Sequence, residues 1–132
     1  MVLEEATVTN CPKCQAPFEK VDYADIRIDR CTGCGGLFFD MLEHEHLKSI
    51  EGSETIDIGD AQVGKRHNPE HRIDCPSCGS RMIAMVDVHQ PHIWYEACTT
   101  CYGVYFDAGE FRDYKEKTIL DFFRDLFAGE RT

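Results

Sequence analysis

Basic residues are in short supply. Lysine and arginine number 14 against 24 aspartates and glutamates, a formal charge of −10 over 132 residues. Generic nucleic-acid binding relies on Lys and Arg meeting phosphates, so this balance disfavours DNA or RNA as the main partner. Long apolar runs are missing too. No run of eighteen apolar residues occurs, the least a membrane-spanning helix needs, so no membrane association is expected. The opening Met1-Val2-Leu3-Glu4-Glu5 is acidic and leads into no apolar segment, so no secretory signal is expected. No Ser/His/Asp set and no phosphate-cradling glycine loop stands out. The expectation is a protein that is not an enzyme.

Cysteine, by contrast, is plentiful and ordered. The eight cysteines fall as four C-x-x-C pairs with none left over: Cys11 and Cys14, Cys31 and Cys34, Cys75 and Cys78, Cys98 and Cys101. Sixteen residues separate the first two pairs and nineteen the last two. Both gaps suit a four-cysteine zinc site. The expected metal content is therefore two Zn²⁺ per chain, one on Cys11, Cys14, Cys31 and Cys34, the other on Cys75, Cys78, Cys98 and Cys101. Thiolates are soft, charged and compact, and four of them satisfy a d¹⁰ ion with no geometric preference of its own. Iron in a rubredoxin-type site is the rival metal, which would make the chain an electron carrier. Disulfides are the rival chemistry, but C-x-x-C pairs are better chelates than mutual disulfide partners, so a reducing, cytoplasmic setting is expected. Two sites of net −2 each would take the −10 of the chain to about −14. With four sulfur ligands no position remains for a catalytic water.

The two halves align beyond their cysteines. Gly36-Leu37-Phe38-Phe39-Asp40-Met41-Leu42-Glu43 is matched by Gly103-Val104-Tyr105-Phe106-Asp107-Ala108-Gly109-Glu110. The pattern predicts a short buried strand turning into a helix. Asp40 and Asp107 are the expected N-caps, with Glu43 and Glu110 completing capping boxes. Between the knuckles, apolar–polar alternation predicts hairpins: Phe18 to Asp22 with Ile26 to Asp29, and Met82 to His89 with His92 to Ala97. Glycine after the second cysteine of a knuckle eases a left-handed turn. Gly35 and Gly79 provide it, whereas Gln15 and Tyr102 imply strain or another turn. Each unit is too small to fold on its apolar core alone, and a metal is the usual remedy. The expected fold class is thus small α+β, metal-stabilised: two tandem zinc ribbons with a long C-terminal amphipathic helix. The boundaries are ribbon 1 with its short helix at 8–50, a linker at 51–73, ribbon 2 at 74–106 and the helix at 107–128. Within the linker, Thr55 to Ile58 could form a short strand, and the rest is expected to be irregular.

The unit C-P-x-C, hairpin, C-x-x-C-G-G, apolar strand, Asp-x-x-Glu resembles the transcription factor IIB-type zinc ribbon family of small prokaryotic proteins. The first unit carries it as Cys11-Pro12-Lys13-Cys14 and Cys31-Thr32-Gly33-Cys34-Gly35-Gly36. The second carries it as Cys75-Pro76-Ser77-Cys78-Gly79 and Cys98-Thr99-Thr100-Cys101, with Tyr102 where the first has Gly35. The resemblance implies that all eight cysteines ligate zinc and allows a transcription-associated role. A shared ribbon does not carry a shared function.

Partners are expected to be proteins. Ile119, Phe122, Phe123, Leu126 and Phe127, with Leu120, fall on one arc at helical spacing and are the candidate partner-binding residues, for self-association or another chain. Trp94, Tyr95, Tyr102 and Tyr105 either fill the core beside the metal or offer an aromatic face to a partner strand or an unpaired base. The six histidines are expected at ordinary surface or edge positions. Pro69 keeps His67 and His71 from sharing a regular helix. Lys65, Arg66, Arg72 and Arg81 form only a modest basic grouping.

Overall fold

The computed structural model describes residues 10–87, 90 and 92–115. Each repeat forms a hairpin and a third short strand. In the first, β1 (Phe18–Tyr23) pairs antiparallel with β2 (Ile26–Cys31), and β3 (Leu37–Phe39) follows. In the second, β4 (Ile83–Val86) pairs with β5 (Trp94–Ala97), and β6 (Val104–Phe106) follows. The second hairpin is shorter than its alternation predicts, and Asp87 leaves the ladder to accept from Gln90 N at 2.9 Å. Ala24 and Asp25 form the first turn with φ of 51° and 67°, the left-handed pair that matches strand twist in a two-residue hairpin.

The two repeats share one sheet. The strand order is β1-β2-β3-β6-β5-β4, with β3 and β6 antiparallel at the centre. Leu37 pairs with Phe106, Phe38 with Tyr105 and Phe39 with Val104. Phe38 and Tyr105 are equivalent residues of the repeat, so an internal two-fold passes between them. Close approach across this axis needs glycine. A Cβ on Gly36 would overlap the Tyr105 hydroxyl, and one on Gly103 would come within 2.5 Å of Phe38 Cζ.

Side-chain alternation splits the sheet into two faces. Leu37, Phe39, Val104 and Phe106 join Leu47, Ile56, Phe111 and Tyr114 in one buried cluster. Phe38 and Tyr105 point the other way, into a second cluster built around the cysteines with Ile73 and Met82. Helix α1 (Glu43–Lys48) supplies Leu47 to the first cluster, and a helical run over 110–115 supplies Phe111 and Tyr114. The core is largely aromatic: Phe39, Phe106, Phe111 and Tyr114 meet at centroid distances of 5.0–6.1 Å, and His44 joins them.

Several local expectations are corrected. The linker is structured rather than irregular. Ser53–Ile56 forms a 3₁₀ turn where a strand over Thr55 to Ile58 was expected, and helix α2 spans Ala61–His67 behind an Asp60 side-chain cap. Helix α1 starts at Glu43 after a left-handed Leu42 with no side-chain cap, and only the return arm of the capping box forms, Asp40 N donating to Glu43 Oε1 at 3.0 Å. Asp107 does not cap the last helix with its side chain, which is engaged elsewhere. The helix expected over 107–128 is seen over 110–115. Its remaining span, with Ile119, Phe122, Phe123, Leu126 and Phe127, lies outside the described residues.

Candidate metal centres and the charges around them

All four knuckles are built alike. The backbone N–H of the first cysteine of each donates to a carbonyl on the far side of its loop: Cys11 N to Ala16 O, Cys31 N to Gly36 O, Cys75 N to Ser80 O and Cys98 N to Gly103 O, at 2.7–2.9 Å. The residue after each second cysteine is left-handed, with φ of 72° at Gln15, 81° at Gly35, 82° at Gly79 and 67° at Tyr102. Gln15 and Tyr102 therefore make the same turn as the glycines, and the side-chain strain expected there is present. Backbone N–H groups inside the turns approach the sulfurs: Lys13 N to Cys11, Gly33 N and Cys34 N to Cys31, Ser77 N to Cys75, and Thr100 N and Cys101 N to Cys98, at 3.3–3.4 Å.

The eight sulfurs gather as the spacing predicts. Cys11, Cys14, Cys31 and Cys34 lie within 4.8 Å of one another, and so do Cys75, Cys78, Cys98 and Cys101. Nearest sulfurs stand 3.2–3.7 Å apart in both groups. Four sulfurs at about 2.3 Å from a tetrahedral ion would stand about 3.8 Å apart, so each group fits one zinc after a small expansion. Without a cation the thiols resist ionising together. Hydrogen bonding with Cys31 pushes the Cys11 thiol up to about 11, and burial pushes Cys75 up to about 12. A divalent ion removes that conflict. These are the two groups of His, Cys, Asp or Glu able to hold a metal among the described residues.

The first group has an added donor from the opposite repeat. Tyr105 Oη lies 3.2 Å from Cys11 Sγ and 3.4 Å from Cys34 Sγ. Burial, with the neighbouring sulfur charge, holds the Tyr105 phenol well above its ordinary pKa. It therefore stays protonated, and with zinc bound it would donate to a thiolate of Cys11 or Cys34.

Beside this site lies a buried charge cluster. The Lys13 side chain is fully buried, 2.8 Å from Asp107 Oδ2 and 3.1 Å from Glu96 Oε1. Its ammonium also donates to His67 O at 2.9 Å. The cluster ties a knuckle of the first repeat to two strand-end acids of the second and to the end of α2. Burial pushes the Glu96 carboxyl up to about 7 and raises that of Asp107, with Lys13 opposing both. The Asp107 cap is replaced from the linker. Buried Asp57 accepts from Gly109 N and Arg112 N, both at 2.9 Å, at the start of the last helix. The Arg112 guanidinium returns a bond to Asp57 O at 2.6 Å.

Lys13, Glu96, Asp107 and Asp57 were not singled out as site residues from sequence; Tyr105 was named there, and it takes the first of the two places expected for its aromatic cluster, the core beside the metal group. Glu96 and Asp107 align with Asp29 and Asp40 of the first repeat, which gave a signal for equivalent positions but none for burial. The aromatic residues divide: Tyr105 is buried and Tyr95 half-buried, while Trp94 and Tyr102 are 46% and 59% exposed. Among the described residues the histidines stay apart from the metal groups. His67 Nδ1 sits 2.7 Å from Glu70, and His71 bonds Pro69 O. Of the basic grouping, Lys65 and Arg66 occupy the last turn of α2, and Arg81 pairs with Asp74. Among the described residues no helix is long and apolar enough to cross a membrane.

A sheet of two antiparallel three-stranded units, each with one cysteine knuckle before its hairpin and one between hairpin and third strand, defines a tandem zinc-ribbon protein. The transcription factor zinc-finger family, of the IIB-ribbon type, matches the chain over residues 10–50 and 74–117, well over half its length. The chain belongs to this family, with one copy of the ribbon in each repeat. No curated protein and no solved structure matches it.

Proposed function

We propose that the chain is a non-enzymatic zinc-binding interaction module whose second hairpin receives an extended segment of a partner protein. The observation that carries this reading is the contrast between equivalent hairpins. On the cysteine face of the first, Lys20 pairs with Asp29 at 2.7 Å and Arg27 with Asp22 at 2.7 Å. Their register mates in the second are Ala84 opposite Glu96 and Val86 opposite Trp94. Exposed Val86 and Trp94 border a groove of about 360 Å³ that Asn68 and His71 close on the linker side. The edge strands differ in the same way. β1 carries Glu19, Lys20 and Asp22, which discourage strand addition, whereas β4 is Ile83-Ala84-Met85-Val86 with Ile83 and Val86 exposed. Among the described residues no strand pairs with the outer edge of β4, and an apolar edge beside an aromatic anchor suits a strand added through its backbone, with alternate side chains in the groove. The absence of catalysis is part of this proposal: each four-sulfur group would fill its ion's tetrahedron. So is self-association through Ile119, Phe122, Phe123, Leu126 and Phe127, as a second surface.

Exposed Trp94 and Tyr102 favour one rival, stacking of unpaired bases in a transcription-associated role, which the −10 charge opposes. Trp94 is the single tryptophan of the chain, so its fluorescence reads occupancy directly. A photo-crosslinking residue at position 94, with one at position 27 as control, is introduced in the native host. The reading expects a polypeptide crosslinked at 94 and absent at 27 which, once purified, shifts Trp94 emission on titration. Single-stranded nucleic acid producing that shift at physiological salt, or equal crosslinking at both positions, contradicts it. Sedimentation of the full chain and of a truncation after Lys117 tests self-association. A full chain that is monomeric at high micromolar concentration removes that part.

A further inference from the structure

The two metal groups share a motif but not an environment. In the first, Cys11, Cys31 and Cys34 are buried and Cys14 half-buried. In the second, Cys75 and Cys98 are buried, Cys101 is half-buried and Cys78 is exposed. The cause lies in the topology. Two ribbons share one linker, and it lies over the first site. Gly59 packs on Gly35, so a Cβ at Gly35 would meet Gly59 Cα at 2.7 Å, and Val63 joins the cysteine cluster. At the equivalent of Gly35 the second site has Tyr102, which is exposed. The space beside Gly79, next to Cys78, is open.

A second difference follows from the internal two-fold. Tyr105 gives the first site a hydroxyl between Cys11 and Cys34. The mirrored residue is Phe38, buried in the same cluster as Cys75 and Cys98 but with no hydroxyl to offer. A zinc-bound thiolate keeps lone-pair density, and a hydrogen bond to it draws that density away and weakens it as a nucleophile. The first site is thus covered and takes an added hydroxyl from the opposite repeat, whereas the second leaves Cys78 exposed, with its hydrogen bonds coming from Ser80 of its own knuckle.

We propose that the second site is a reactive zinc-thiolate centre, with Cys78 the point of attack for peroxides and soft alkylating agents, and that the Tyr105/Phe38 difference helps hold the first site inert. With hydrogen peroxide, the Cys78 sulfur attacks one oxygen. An S–O bond forms, the O–O bond breaks, and hydroxide leaves to take up a proton as water. The Cys98 thiolate, whose sulfur lies 3.4 Å from that of Cys78, attacks the resulting sulfenic acid. An S–S bond forms, and the second oxygen departs as hydroxide and is protonated to water. Two thiolates are oxidised by two electrons in total and one peroxide is reduced to two waters. With Cys78 and Cys98 tied in a disulfide, only Cys75 and Cys101 would remain to hold a zinc ion at this site, and its hold would weaken.

The test uses the full chain loaded with two zinc equivalents and exposed to hydrogen peroxide or N-ethylmaleimide. Zinc release is followed with a chromophoric chelator, and quenched samples are mapped by peptide mass spectrometry. The first equivalent is expected to leave at least about tenfold faster than the second, the factor that one altered hydrogen bond to a charged group commands. Early modification is expected at Cys78, with the peptides carrying Cys11 to Cys34 intact. F38Y is expected to slow the fast phase and Y105F to accelerate the slow one. Release of both equivalents at one rate, or early modification at Cys11 to Cys34, overturns the proposal. Two phases that neither variant shifts overturn the role of the hydroxyl. If Y105F does not load two zinc ions, F38Y alone decides that role.

Discussion

Lys13 and Asp107 stand 94 positions apart in sequence, yet the Lys13 ammonium meets the Asp107 carboxylate at 2.8 Å in a fully buried site. The contact joins the two repeats on the cysteine face of the sheet, beside the first metal group. Its mirror image is missing. Ser77 occupies the position of Lys13 in the second repeat, and Asp40, the mate of Asp107, is exposed. One half of the internal symmetry is therefore locked by charge and the other left open.

Removing the lysine strands two acids in a dry site. Lys13→Met is expected to cost about 3–5 kcal/mol, the usual penalty for breaking a buried ion pair from one side. Adding Glu96→Gln and Asp107→Asn to it should recover much of that loss, because no charge is then left without a partner. Urea unfolding in excess zinc, with metal content checked for each variant, measures both. A single variant as stable as the parent contradicts the assignment.

Asp57 works through the backbone N–H groups of Gly109 and Arg112 at the start of the last helix. Asp57→Ala should lower stability by about 1–2 kcal/mol, as for other lost N-caps, and Asp57→Asn by less. The same unfolding experiment reads the change. Amide exchange at Gly109 and Arg112 should accelerate more than exchange in β1 and β2.

Glu96 sets a pH dependence whose sign is fixed by burial. Its carboxyl is raised from 4.5 to about 7, so the folded protein holds that proton more tightly than the unfolded chain does. The stability this contributes is fully present below about 4.5 and lost as pH rises through about 7. Thiolate protonation acts in the opposite direction, releasing zinc in acid. The Glu96 effect therefore stands clear only above pH 6, in excess zinc. Between pH 6 and 8 the Glu96→Gln variant should lose less stability than the parent. Parallel curves would contradict the shift.

The two four-cysteine groups were legible because C-x-x-C is local: four residues set the turn, and the gap brings the knuckles together. The hairpins were legible for the same reason, through alternation and Tyr23-Ala24-Asp25. What joins the halves was not. Leu37-Phe38-Phe39 and Val104-Tyr105-Phe106 read as buried strands, but nothing in either segment names the other as its partner. Pairing between repeats is a long-range choice, made here by glycines that let two aromatic rings cross. The N-cap pattern at Asp107 misled because a buried lysine competes for the same carboxylate, and Asp57 supplies the cap from a linker expected to be irregular.

Each four-cysteine group fits one closed four-sulfur zinc centre, two in one chain. Zinc K-edge X-ray absorption on protein of measured metal content tests this most directly. The account predicts two zinc equivalents per chain and a shell of four sulfurs at about 2.3 Å, with no nitrogen or oxygen ligand. One equivalent per chain, a mixed sulfur and nitrogen shell, or iron in place of zinc in protein isolated from its native host would contradict it.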